Sequence, residues 1–282
     1  MASNLACVGL ASASSEELSA VVAKMLPRSI SLGKQRGLEV RRWEDSSGAR
    51  MVLGIRDGSI VEFLPSLASK PGARLARIAA LSDEVSTAAV VDEAGDQLTS
   101  VAVEFEERAL LTETARAGGA ASIVALGQAV TIHDDSAAFA ASRESLLDPS
   151  ADLDAPAPAV YAERGLKWPP RMASESFIAH SVFPTGAEPE ATARLNGVVL
   201  HSDRRVNTLT GQAFVVARVR TIGFEADVCL PGSEHSSALR PGQIVAGTVF
   251  LAASLATVAS QSREAPKKRR WWRWSTEPGS NR

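Results

Sequence analysis

Cysteine, histidine and aromatic residues are all scarce in this 282-residue chain, and each scarcity removes a class of function. Two cysteines, Cys7 and Cys229, and four scattered histidines, His133, His180, His201 and His235, offer no metal-ligand spacing, so no metal site and no cofactor is expected. Both thiols fall inside apolar stretches read as strands, where a buried free thiol is the expectation rather than a disulfide. At 5% aromatic residues, the chain is poorly supplied with platforms for stacking bases. No apolar run approaches the length of a membrane-spanning helix. The opening Met1-Ala2-Ser3-Asn4 lacks the basic region and apolar core of a signal peptide. The expected location is therefore the cytoplasm, with any membrane contact peripheral. Neither a Gly-x-Ser-x-Gly elbow nor a Gly-x-x-x-x-Gly-Lys phosphate loop occurs.

What remains is an ordinary globular composition, 45% hydrophobic and 22% charged, with length enough for two domains. The formal charge of −2 hides an asymmetry. Between positions 263 and 273, six basic residues against Glu264 give a local charge of +5, leaving the remainder at about −7. An acidic body is a poor platform for nucleic acid, so contact with a polyanion would fall to the tail or to a local patch.

Leu5 to Ala11 is a short apolar run that reads as a buried strand. Ser14 is placed to cap a helix carrying Glu16 and Glu17 in its first turn and Leu18, Val21, Val22 and Met25 on one face, with Pro27 ending it. Leu38 to Trp43, Ala49 to Ile55 and Ser59 to Leu64 then alternate with turns, the last at the hairpin signal Asp57-Gly58. Arg74 to Val85 reads as a strand with a polar break. Ser86 to Asp92, Leu98 to Glu106 and Ala121 to Ile132 follow as further strands, and Asp134-Asp135-Ser136 caps a short helix. Asp148 to Pro158 is a Pro/Ala/Asp linker continued by Lys167-Trp168-Pro169-Pro170.

The C-terminal portion is the most legible. Leu195 to Leu200, Phe214 to Arg220, Phe224 to Cys229 and Gln243 to Leu251 read as antiparallel strands around the turn Asn207-Thr208-Leu209-Thr210-Gly211. Arg240-Pro241-Gly242 leads into the last of them. That succession suits a small OB-like barrel, with Ala173 to Phe177 adding an edge strand. The expected class is α+β: an N-terminal antiparallel sheet with one or two helices in residues 1–147, a linker over 148–172, an OB-like β domain over 173–260, and a basic, Trp-rich, disordered tail over 261–282.

At Arg41-Arg42-Trp43-Glu44-Asp45-Ser46-Ser47-Gly48, Ala173-Ser174-Glu175-Ser176-Phe177, Asn207 to Gly211 and the Asp227-Val228 pair, the chain resembles a bacterial family of two-part proteins of uncharacterised function. The resemblance spans most of residues 4 to 258. It implies an N-terminal strand–helix–sheet module joined to a C-terminal antiparallel β module, and brings no activity with it. The strand–helix–three-strand order of residues 5 to 64 also resembles one module of the vicinal-oxygen-chelate fold. There, paired modules present His and Glu to a divalent metal. This chain offers Cys7 and Glu62 in the first module, and Glu104 or Glu106 in the second half.

Candidate chemistry is thin elsewhere. Ser174, Glu175, Ser176 and His180 are neighbours in sequence, which is no evidence of a triad. His133-Asp134-Asp135 is more economically a strand end and a helix cap. Arg218 and Arg220, two apart on one strand, point to one side of a sheet with Phe214, and with Arg205 would form a cationic face for single strands. The sharpest local feature is the tail, Lys267, Lys268, Arg269, Arg270, Trp271, Trp272, Arg273 and Trp274. Clustered cations attract phosphates, and indoles stack on bases or settle at a bilayer interface. The function expected is a binding or interaction protein without catalysis, its tail contacting an anionic membrane surface, a nucleic acid or an acidic protein groove. The alternative is a small-molecule-binding or metal-dependent enzyme using the N-terminal cup.

Overall fold

The computed structural model describes residues 3–148, 150, 152–153, 155–182 and 188–257. The tail residues Lys267 to Trp274 lie outside the described residues.

Ser14, with extended backbone, accepts the Glu17 N–H on its side chain and caps α1, Ser15–Met25. A 3-10 turn containing Pro27 ends this helical segment. Four antiparallel strands follow as a meander: β1 (Ile30–Gln35), β2 (Leu38–Glu44), β3 (Ala49–Arg56) and β4 (Ser59–Leu67). The last three lie where their sequence pattern places them. β1 was not legible because it is an edge strand with only Leu32 buried, so it lacks an alternating apolar signal. Asp57 and Gly58 both have positive φ, the geometry of the two-residue hairpin turn that Asp-Gly tolerates.

Leu5 to Ala11 forms no strand. Ala6–Val8 is a 3-10 turn followed by Gly9 at φ +69°, and Cys7 sits in that turn. The polar backbone here is satisfied by side chains of the turn after residue 206 instead of by a ladder. Asn207 Nδ2 donates to the Val8 carbonyl at 3.0 Å and Thr210 Oγ1 to that of Gly9 at 2.6 Å. Gln212 takes the Ala11 N–H on Oε1 and returns an Nε2–H to the Ala11 carbonyl, both at 2.8 Å. Gly9 is required: a Cβ there would stand 2.8 Å from the Gln212 carbonyl, on a backbone that L side chains rarely adopt.

The second sheet contains β5 (Ala73–Ala80), β6 (Val85–Val91), β7 (Gln97–Phe105), β8 (Gly118–His133), β9 (Ser176–Ala179), β10 (Thr192–Val206), β11 (Ala213–Thr221), β12 (Phe224–Pro231) and β13 (Ile244–Leu255). The Arg74 to Val85 stretch is thus β5 and a turn, ending where β6 begins. Between β7 and β8 lies a short helix, α2 (Glu113–Arg116). The expected helix after Asp135 is only Ser136–Ala141, with the Asp135 side chain accepting the Ala138 N–H.

Five of these strands pair in a ring. β10, β11 and β12 run antiparallel in succession; β12 pairs parallel with β8, β8 antiparallel with β13, and β13 antiparallel with β10. β8 precedes the 148–172 segment and its partners follow it. The stretches separated in sequence as 1–147 and 173–260 therefore share one sheet. Alternation along the strands divides two cores. Ile123, Val215, Val219, Val228 and Leu251 belong to the cluster inside the ring. Val124, Leu126, Phe214, Val216 and Cys229 face outward into a second cluster with Trp43, Met51, Leu53, Leu64, Leu10 and Met25 of the N-terminal module. Among the described residues no helix is long and apolar enough to cross a membrane.

Replacing Asn207 with Ala leaves the buried Val8 carbonyl without its partner. We expect a loss of about 1–3 kcal/mol, seen as a lower urea midpoint at unchanged slope.

Candidate functional site

The register of the small sheet aligns Glu44, Arg50 and Ser66 across three strands, and Arg42 lies two residues before Glu44. All four therefore project from one face. Opposite them stands Glu106, just beyond β7, its N–H bonded to the Ala253 carbonyl at 2.8 Å. Arg42 Nη1 reaches Glu106 Oε2 at 3.4 Å, Arg50 Nη1 reaches both oxygens at 3.4 Å, and Ser66 Oγ donates to Oε1 at 2.6 Å. Arg50 Nε also donates to Glu44 at 2.8 Å. The cluster is inside the protein, with Arg42 4% and Glu106 3% exposed. Beside it Glu107 is wholly buried, and Ser254 Oγ donates to its Oε1 at 2.6 Å. Burial above all, and then the negative charge of Glu106, pushes the Glu107 carboxyl well above the ordinary range. Glu107 Oε2 and Arg42 Nε have no hydrogen-bond partner among the described residues.

Past this seam the two sheets diverge into a cleft of about 500 Å³, whose lining includes Glu62, Phe63, Glu84, Glu104, Arg108, Gln128 and Phe250. Arg108 spans it, with Nη2 at 2.7 Å from Glu62 and Nη1 at 3.6 Å from Glu104. Among the described residues of the lining, Arg108 is the one cation set against three carboxylates. Desolvation pushes the Glu104 carboxyl up to about 7, Arg108 opposes the rise, and the charges of Glu84 and Glu62 add to it. Gly54 makes this arrangement possible, because a Cβ there would come within 2.8 Å of Glu62 Oε2. Phe63, on edge strand β4, is 52% exposed. Elsewhere, a cleft of about 660 Å³ runs along Tyr161 and Leu166 to Arg171, where Tyr161 and Trp168 meet edge to face.

The residues singled out from sequence are distributed unevenly. Glu62 and Glu104 come together through Arg108, while Glu106 lies in the buried seam. Cys7 is away from the carboxylates; burial pushes its thiol up to about 12, and Sγ donates to the Gly127 carbonyl at 3.2 Å. Among the described residues, no group of three His, Cys, Asp or Glu is arranged to hold a metal ion.

The cationic face expected on β11 is a free surface only in part, with Arg220 half exposed. Phe214 is completely buried in the outer core and cannot stack on a base. Arg218 is 8% exposed, with Nε at 2.9 Å from Glu225 and Nη1 at 3.7 Å from Asp227, and it donates to the carbonyls of Lys70 and Pro71. Arg220 pairs with Glu175 through two bonds of 2.9 and 3.0 Å. Arg205 donates to the Ser47 carbonyl at 3.1 Å. The N-terminal module covers the side of the ring on which Phe214 lies, so at Phe214 and Arg218 the pattern that suggests a binding stripe marks a packing face. Ser174, Ser176 and His180 likewise have separate partners: Ser136, Asn196 and Thr192.

The residues that sequence reasoning missed are Glu84, Arg108 and Glu107. A signal existed in the run Glu104-Phe105-Glu106-Glu107-Arg108, where charges punctuate the end of an apolar strand. Compared with known proteins, the chain matches no protein-family model, no curated protein and no solved structure.

The raised Glu107 carboxyl has a definite sign. The folded state holds a proton that the unfolded chain releases in the ordinary carboxylate range, so stability is full below that range and falls as pH rises through the folded value. Glu107→Gln removes this slope, at most about 1.4 kcal/mol per pH unit. Melting curves from pH 5 to 9 should show the variant gaining on the wild type as pH increases.

Proposed function

We propose that the protein is a non-catalytic binding protein whose ligand is a small molecule carrying a positively charged group, seated in the cleft between the sheets. One observation carries this reading: Glu62, Glu84 and Glu104 converge on a space of about 500 Å³ in which Arg108 alone opposes them. Burial is the main cause of the raised Glu104 carboxyl, and the charges of Glu84 and Glu62 add to that rise. A bound cation would relieve it, and Phe63, Leu64 and Phe250 give the lining an apolar share. The ring of five strands supports an OB-like barrel in permuted order, with β8 standing where the last strand would be. Membership of the two-part bacterial family is part of the same proposal.

The test is calorimetry with simple amines such as putrescine, spermidine and choline. Binding should strengthen as pH rises from 6 to 8, because the proton on Glu104 competes with the ligand. Glu104→Gln should weaken binding about tenfold and flatten the pH dependence. Absence of binding by the whole panel would sink the reading.

A second reading is favoured by the sequence beyond the described residues. Six basic residues and three tryptophans crowd positions 263 to 274 of an otherwise acidic chain. This tail is proposed to contact an anionic partner, a membrane surface or a nucleic acid. Deleting residues 264–282 should abolish retention on anionic liposomes or single-stranded oligonucleotides, and retention by the intact chain should fall steeply with salt. Equal retention after deletion would remove the tail from the account.

A further inference from the structure

Beyond the Glu62–Arg108 ion pair lies a different cleft, of about 560 Å³, onto which Arg36, Arg56 and Arg116 converge from three separate elements. Arg36 occupies the β1–β2 turn, Arg56 ends β3, and Arg116 ends α2. The meander brings the β1–β2 and β3–β4 turns to the same end of the small sheet. Arg108, also on this wall, is committed to Glu62 and Glu104. The other three guanidinium groups have no ion-pair or side-chain hydrogen-bond partner among the described residues. Asp83 and Glu113 share the lining.

The backbone supplies an independent argument. The two turns at this end have the same geometry, with both central residues at positive φ. One uses Asp57-Gly58, which suits that geometry; the other uses Arg36-Gly37, with Arg36 at φ +48°. Asn, Asp or Gly is strongly preferred there, and a long side chain is held at a cost in backbone energy. Nothing in the turn itself needs an arginine. Arg36 lines the cleft, and strain kept at such a position is characteristic of a functional group.

We propose that this cleft is a binding site for the phosphate group of a small soluble ligand. Three guanidinium forks match the oxygens of a phosphate or diphosphate. Asp83 and Glu113 stand ready to accept hydroxyl or amino hydrogens from the rest of the molecule. The site lies on the other side of the Glu62–Arg108 ion pair from the acidic cleft, and that pair lines both.

The probe is inorganic pyrophosphate, titrated into the full chain by calorimetry, so that the tail's cations are common to every variant. Arg36→Asn relieves the strained turn. The unliganded protein should therefore melt about 2–4 °C higher while pyrophosphate affinity falls about tenfold. Arg56→Gln should lower affinity similarly at unchanged melting temperature. A gain in stability joined to a loss of binding in Arg36→Asn supports the site, since a merely structural arginine would not give both. Wild-type affinity in both variants, or no pyrophosphate binding by the intact protein at millimolar concentration, overturns it. So does a result in which the variants lose retention on anionic vesicles but keep their affinity for pyrophosphate.

Discussion

The docking of the small sheet onto the ring depends on one buried carboxylate, Glu106. A charge taken out of water is costly unless partners surround it, and both of its cationic partners, Arg42 and Arg50, come from the other sheet. The large sheet alone would leave Glu106 unpaired; the small sheet alone would leave two arginines on a face otherwise built for burial. Each half is thus a poor solution without the other. The favourable energy comes mainly from burial of apolar residues: Val40, Val52 and Leu64, on the same face of the small sheet as Arg42 and Arg50, belong to one core with Val124, Leu126 and Phe214. The ion cluster contributes specificity, because it is satisfied at one relative placement of the sheets. That placement also shapes the acidic cleft. Glu104, Glu106 and Arg108 leave one short stretch of chain, Glu106 into the seam and its neighbours into the opening.

How much of this was legible follows from the range of the signals. Hairpin turns and alternating strands act over a few residues, so β2, β3, β4, β11 and β12 and the cap at Ser14 could be read directly. Leu5 to Ala11 has the composition of a strand but becomes a turn and an anchored segment. Its hydrogen-bond partners, Asn207, Thr210 and Gln212, lie some two hundred positions away, and no local pattern reveals them. The ring was half legible. Its succession after residue 192 was visible, but the strand that bridges β12 and β13 is β8, on the far side of a proline-rich segment that looks like a boundary.

The arginines of β11 show a different limit. Spacing correctly put Arg218, Arg220 and Phe214 on one side of the strand, and spacing says nothing about what covers that side. The neutralising groups come from three places: Glu225 and Asp227 across the hairpin, Glu175 at the start of the edge strand region, and the carbonyls of Lys70 and Pro71. A Cβ on Gly72 would lie 2.2 Å from Arg218 Nη2, so the guanidinium is packed against backbone as well as paired. This is how arginine behaves as a joint: its stem packs and its fork ties together segments distant in sequence. The cleft arginines differ in the feature that matters, since Arg36, Arg56 and Arg116 tie nothing together.

The same distinction applies to the motifs that carry the family resemblance. Asp45 accepts hydrogen bonds from the backbone N–H and hydroxyl of Thr208 and from Ser47, fixing the β2–β3 turn against the turn after β10. Ser176 receives Asn196 and Thr221 across the edge of the large sheet, and Asp227 faces Arg218. Arg42 belongs to the buried seam. Each motif is therefore a piece of joinery between segments distant in sequence. Together they make a frame, a ring with a small sheet locked to its outer face, and some side chains are not consumed by it. In this chain those are the carboxylates around Arg108 and the uncommitted arginines at the turn end of the small sheet, on opposite sides of one ion pair. These are the positions at which substitution leaves the joints intact.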